Sequence, residues 1–221
     1  EIVFTSGTTA SINLVAFSFG EAFVKEGDEI IVSEAEHHSN IVPWQMLCMR
    51  KNALLKVLRI DDNGHFNLDE LKSLITEHTR IVSVTQISNV LGIVNPVEEI
   101  VRICHERNVP VLIDGAQGIV HGGMDVRKVD CDFYAFSGHK IYAATGVGVL
   151  YGKRKWLDMM PPYMGGGEMI SSVKFTGTTY AAVPEKFEAG TQNIAGVPTL
   201  KPALEMAGLL GDDEIDRHFR S

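Results

Sequence analysis

The sequence predicts an α/β layer fold built on a mainly parallel sheet flanked by helices, and three observations lead there. Short β-branched apolar runs alternate with longer segments of helical period, the order that layers helices on a sheet. The run that ends at Asp114 is apolar throughout, as a strand covered on both faces should be. Cap-forming residues, Asn67 or Asp69 and then Pro96, stand where two of the helical segments begin.

In chain order, strands are expected at residues 2–5, 29–33, 54–60, 80–87, 109–114, 132–137 and 147–151, where β-branched and other apolar residues gather. Helices at 9–24, 40–51, 68–76 and 97–108 lie between many of them. Beyond Pro161 the text changes to Gly165-Gly166-Gly167 and a Thr/Gly-rich stretch, so 161–197 is expected to be loop-rich. Helical period returns after Pro198, and 198–221 is expected to start the connection to a further domain. The chain opens at Glu1 directly into strand-like text and stops within Asp212-Asp213-Glu214-Ile215-Asp216-Arg217-His218. The expectation is therefore a piece excised from a longer protein.

A chain of 221 residues, 45% hydrophobic and 22% charged, is long enough to bury a large core. Its formal net charge of -8 and the absence of a Lys/Arg block argue against general nucleic-acid binding. No apolar stretch reaches the length of a membrane span. Cys48, Cys104 and Cys131 are scattered without CxxC spacing, which argues against a disulfide framework and a zinc site alike and suits a reducing cytoplasm. Each is read as a core or surface thiol. His65, His78, His105 and His218 stand among polar residues and are expected to be solvated, and no pair has the HExxH spacing of a helical metal site.

Three short motifs could carry chemistry. Thr5-Ser6-Gly7-Thr8-Thr9 lies between a strand and an amphipathic helix, where unpaired N–H groups and small hydroxyls suit a phosphate. It is equally a plain strand-to-helix turn with a threonine cap. Asp114-Gly115-Ala116-Gln117 places a carboxylate at the carboxyl end of a buried strand, where open α/β sheets bind ligands and a desolvated charge needs a partner. Asp114 could also simply cap the following turn. Ser137-Gly138-His139-Lys140 follows another strand and precedes Gly146-Val147-Gly148. A lysine there can act as a nucleophile once its ammonium is partly desolvated, although a random lysine is more often solvated.

Taken together, Asp114 to Gln117, Ser137 to Lys140 and the downstream Thr145 to Gly152 resemble the class V, fold-type I pyridoxal 5'-phosphate (PLP) enzymes. Glu36 to Trp44, reading EHHSNIVPW, and Phe187 to Thr191, reading FEAGT, are similar to the Suf-type cysteine desulfurase and selenocysteine lyase subgroup. The ordered set runs through essentially the whole chain.

The resemblance implies that 1–221 is the large domain of fold type I, without the N-terminal segment and the small C-terminal domain of the longer protein, and with PLP as cofactor. It implies Lys140 as the Schiff-base lysine that later moves the substrate α-proton, Asp114 as the partner of the ring nitrogen, and His37 stacked on the ring. Gln117 would meet the phenolic oxygen, Asn89 would lie near that oxygen and the substrate carboxylate, and Thr8, Thr9, Ser137 and His139 would hold the phosphate. Thr191 would reach the phosphate of a neighbouring subunit, which implies a homodimer. The implied reaction takes L-cysteine to L-alanine and delivers sulfur as an enzyme persulfide, destined through an acceptor protein for iron–sulfur cluster assembly. The sulfur-taking cysteine would lie outside this chain, which would leave the isolated fragment inactive. Selenocysteine lyase, epimerase and aminotransferase chemistry share the same cofactor half, and a non-catalytic scaffold is the reading from another class. The chain departs from the subgroup at Ala143-Ala144, where Gly-Pro is usual, and at Gln192, where proline is usual. Both departures affect backbone freedom around the motifs.

Overall fold

The computed structural model describes residues 1–210. Seven strands form one sheet: β1 (Ile2–Thr5), β2 (Glu29–Ser33), β3 (Leu54–Leu58), β4 (Thr79–Thr85), β5 (Val111–Asp114), β6 (Phe133–Ser137) and β7 (Gly148–Gly152). Their spatial order is β1-β7-β6-β5-β4-β2-β3. Pairings from β6 through β3 are parallel, and β7 runs antiparallel to both β6 and β1. The expected mainly parallel sheet is therefore present with a mixed edge.

Each long crossover carries a helix. They are α1 (Thr8–Phe23), α2 (Val42–Lys51), α3 (Leu68–Leu74) and α4 (Val97–His105), with the shorter α5 (Val126–Val129) and α6 (Arg154–Met159) further on. Asn67 caps α3 by accepting from the N–H groups of Asp69 and Glu70, and Pro96 occupies the cap position of α4. Neighbouring residues of a strand feed opposite cores. Ile31, Val111 and Ile113 join the cluster that includes Leu71 and Ile100, whereas Ile30, Val32 and Leu112 join Phe19, Trp44 and Leu47. Helices on both faces explain why these strands read as continuous apolar runs.

The segment 161–197 is not wholly irregular. It carries an antiparallel hairpin of β8 (Ile170–Lys174) and β9 (Gly177–Tyr180), whose exposed residues lack the apolar alternation that marks a strand. The helical period after Pro198 is realised as α7 (Leu200–Leu210). The expected pattern at 212–218 lies outside the described residues, and His218 with it. Among the described residues no helix is long and apolar enough to cross a membrane.

His105 corrects an expectation. It is half-buried, with Nε2 2.7 Å from Asp132 Oδ2 and Nδ1 3.5 Å from Asp130 Oδ2. His65 and His78 are exposed, as expected.

Candidate active site

Sheet register brings the motifs to one edge. Thr85, Asp114 and Ala135 are aligned across β4, β5 and β6, and Thr5, Gly148 and Ser137 across β1, β7 and β6. The loops after β1, β4, β5 and β6 consequently leave the sheet side by side, the place where open α/β sheets bind ligands. A cleft of about 280 Å³ lies there, lined by Thr8, Thr9, His37, Asn89, Asp114, Gln117, Ser137, His139 and Lys140. Nine of the ten expected site residues are thus brought together. Thr191 is the exception: it is exposed and lines a separate depression with Glu168, Glu185 and Glu188.

At one end of the cleft, α1 begins at Thr8 behind Gly7, whose φ of 151° suits glycine alone. Ser137 Oγ accepts from Thr8 N–H at 2.8 Å and shares a second hydrogen bond with Thr8 Oγ1 at 2.8 Å. A Cβ on Gly148 would lie 2.3 Å from Gly7 Cα, so the helix start can approach β7 only because residue 148 is glycine. The result is a helix N-terminus ringed by hydroxyls, a composition that suits a phosphate.

Asp114 is buried, 2% exposed. Its Oδ1 accepts from Ala116 N–H at 2.9 Å, so it does cap its own turn while also lining the cleft. Burial, opposed by that hydrogen bond and by the nearby His37 and Lys140, raises its pKa above the ordinary carboxylate value. A carboxylate in this setting is short of positive charge and suits a cationic ring N–H. The turn behind it is fixed by Tyr134, whose hydroxyl donates to Gln86 Oε1 at 2.8 Å, while Gln86 Nε2 donates to the Gly123 carbonyl at 3.0 Å.

Lys140 lies in the short helical turn Gly138–Ile141 directly after β6. The loop beyond it turns at Tyr142 and Gly146, with φ of 71° and 72°. Ala144 N–H donates to Thr199 Oγ1 at 2.9 Å, and Asn193 Nδ2 donates to the Gly146 carbonyl at 3.2 Å. A proline at 144 could not make the first bond. His37 precedes the short turn His38–Asn40, and its Nδ1 accepts from Ser39 N–H at 3.1 Å.

Sequence reasoning missed Ser39, Thr85, Ile87 and Ala116 as lining residues. Thr85 and Ile87 stand at the carboxyl end of β4, a position that points to the ligand edge only once the neighbouring strands are known. The cysteines are all buried, and desolvation raises their pKa values to about 11 for Cys48 and about 12 for Cys104 and Cys131. None is built as a nucleophile. Among the described residues no cluster of His, Cys, Asp and Glu could hold a metal ion.

Comparison with known proteins agrees with this fold. The aminotransferase class-V family model matches residues 1–221. A cysteine desulfurase of Dickeya dadantii (strain 3937) is 52% identical over 99% of this chain and 53% of its own length. The crystal structure of the Escherichia coli cysteine desulfurase CsdA superposes with a TM-score of 0.93 at 45% identity, covering 96% of this chain and 53% of that one. A more distant structure, a C-DES mutant with glycine covalently linked to the PLP cofactor, has a TM-score of 0.84 at 25% identity, covering 95% of this chain and 56% of its own. The chain spans about half the length of the curated relatives it matches.

Proposed function

Because the chain belongs to the aminotransferase class-V family, we propose that it forms the cofactor-binding half of a PLP-dependent cysteine desulfurase. The carrying observation is that Asp114 and Lys140 line one cleft together with Thr8, Thr9 and Ser137 at the hydroxyl-ringed start of α1. An anion-binding end, a buried carboxylate and an amine are the donor set that fits PLP.

When bound, PLP supplies an electron-withdrawing ring that eases loss of the proton at the substrate α-carbon. The chain's own residues hold and orient it. Thr8, Thr9, Ser137 and His139 would hold the phosphate together with N–H groups of α1. Asp114 would keep the ring nitrogen protonated, since a buried carboxylate favours a cation beside it. Gln117 and Asn89 would hydrogen-bond the phenolic oxygen, and His37 would cover the ring. The Lys140 amine would hold the cofactor covalently and then move the proton at the substrate α-carbon.

The substrate on this reading is L-cysteine. Its sulfur passes to a thiol, which becomes a persulfide as L-alanine is released. Cys48, Cys104 and Cys131 are too buried to take it, so the accepting thiol is none of these three. Relay to an acceptor protein for iron–sulfur assembly, a cytoplasmic setting and a homodimer belong to the same proposal. The exposed position of Thr191 outside its own cleft suits a residue that reaches a neighbouring subunit.

The test uses the full-length protein loaded with PLP, reduced with borohydride and digested. The label is expected on the peptide that contains Lys140, with persulfide and alanine formed from L-cysteine. Label on another lysine would overturn the site, and alanine formation without sulfur transfer would overturn the reaction.

A further inference from the structure

His37 is exposed, yet it stands between two buried polar side chains, Glu36 at 8% exposure and Asn40 at 0%. Glu36 is bonded to three separate parts of the chain. Its Oε1 accepts from Thr85 N–H at 2.8 Å and is paired with the Ser33 hydroxyl, and its Oε2 accepts from Asn40 Nδ2 at 2.6 Å. The Asn40 amide cannot be turned round. Its Oδ1 accepts from Trp44 Nε1 at 3.0 Å and from Ser83 Oγ at 2.6 Å, and an indole N–H can only donate. The Asn40 nitrogen therefore faces Glu36.

We propose that Glu36 is a positioning residue that fixes His37 at the cleft through this polarity-matched bracket with Asn40, tied to β2 and β4. The proposal rests on the reading of the cleft as a PLP site and adds the residue that holds the ring-covering histidine in place. The two bracket residues are four apart, and Asn40 N–H also donates to the His37 carbonyl at 2.8 Å. The backbone on both sides of His37 is thereby fixed to the sheet edge that carries Thr85 and, one strand over, Asp114.

The bracket makes a specific demand. Glutamine at position 36 must point its amide nitrogen either at the Asn40 Nδ2 donors or at the Thr85 N–H, so one donor meets another whichever way it turns. Asn40→Asp relieves the first conflict, because aspartate accepts from glutamine while still receiving Trp44 and Ser83. E36Q should therefore fail alone, and E36Q/N40D should recover.

The test uses the full-length protein and PLP itself. E36Q is expected to release bound PLP roughly tenfold faster, as a buried donor left without an acceptor implies. The same change made in an H37A background should alter release by less than about twofold, because two residues acting through one contact are not additive. Equal acceleration in both backgrounds would overturn the proposal. A cofactor-free arm reads the ring resonances of His37 in 15N-histidine protein: E36Q shifts them and E36Q/N40D returns them. Unmoved resonances in E36Q would overturn it as well. If the wild-type protein retains no PLP, the site reading falls while the resonances still decide the role of Glu36. If E36Q does not fold, recovery of folding with native His37 resonances in E36Q/N40D supports the bracket, and a double variant equally impaired overturns it.

Discussion

Ser137 Oγ lies 2.8 Å from both the backbone nitrogen and the hydroxyl of Thr8, although the two residues are 129 positions apart. One hydroxyl thus joins the loop that carries Lys140 to the helix start that carries the phosphate-holding groups. Ser137→Ala leaves the buried Thr8 N–H without its acceptor. The expected outcome is a fall in melting temperature of about 2–4 °C and PLP binding weakened roughly tenfold, measured by thermal unfolding and by titration of the cofactor absorbance. Unchanged affinity would separate the two loops functionally.

The loop after Lys140 has a second tie, from Ala144 N–H to Thr199 Oγ1 at 2.9 Å. Thr199→Val keeps the shape and removes the acceptor. Hydrogen exchange at the Ala144 amide is expected to speed up about tenfold, with bound PLP lost a few-fold faster, because opening of the loop then breaks one contact fewer. Exchange at Ala144 as slow as in the parent protein would mean that the loop is held by other contacts.

Much of this arrangement was legible beforehand, and the misses share a cause. β2 and β5 were readable because continuous apolar runs identify strands buried on both faces. The run 80–87 overshoots the strand: its apolar residues continue to Ile87, but β4 ends at Thr85, opposite Asp114 where β5 stops. Pairing, which is non-local, sets that boundary. His105 looked solvated beside Glu106 and Arg107, yet its partner Asp132 is 27 positions away. Glu36 stands inside the EHHSNIVPW motif, but its burial depends on Ser33, Asn40 and Thr85 closing around it. The candidate site was legible as a set of residue types, and the bonds that hold it were not.

Asp132, at 1% exposure, is the hub at the opposite end of the sheet. Desolvation would raise its pKa, but Trp156, His105, the Val111 N–H and Lys153 more than offset this and hold it below the ordinary value. A carboxyl depressed in the fold contributes stability that is present above its unfolded pKa, near 3.8, and is lost as pH falls through the folded value. Asp132→Asn should therefore destabilise the protein at pH 7 by roughly 3 kcal/mol, as loss of one buried partner does, with the difference shrinking below about pH 4. Urea unfolding of both proteins across pH checks this. A gap that stays constant down to pH 3 would remove the electrostatic account.

Asp114 carries the opposite sign, and the contrast tests the site directly. Burial is the largest influence on its carboxyl and raises its pKa despite Ala116 N–H, His37 and Lys140. A carboxyl raised in the fold contributes stability that is full below its unfolded pKa, near 3.8, and is lost as pH rises through the folded value. At neutral pH, without cofactor, it is a cost to folding. Asparagine keeps the acceptor for Ala116 N–H and removes the charge. The cofactor-free D114N protein is therefore expected to melt about 2–4 °C higher than the parent at pH 7, with the two converging as pH falls towards 4. Its affinity for PLP should drop about 100-fold, since the ring cation then meets no carboxylate. A variant that is less stable without PLP and binds it unchanged would show that Asp114 serves its own turn and not the cofactor.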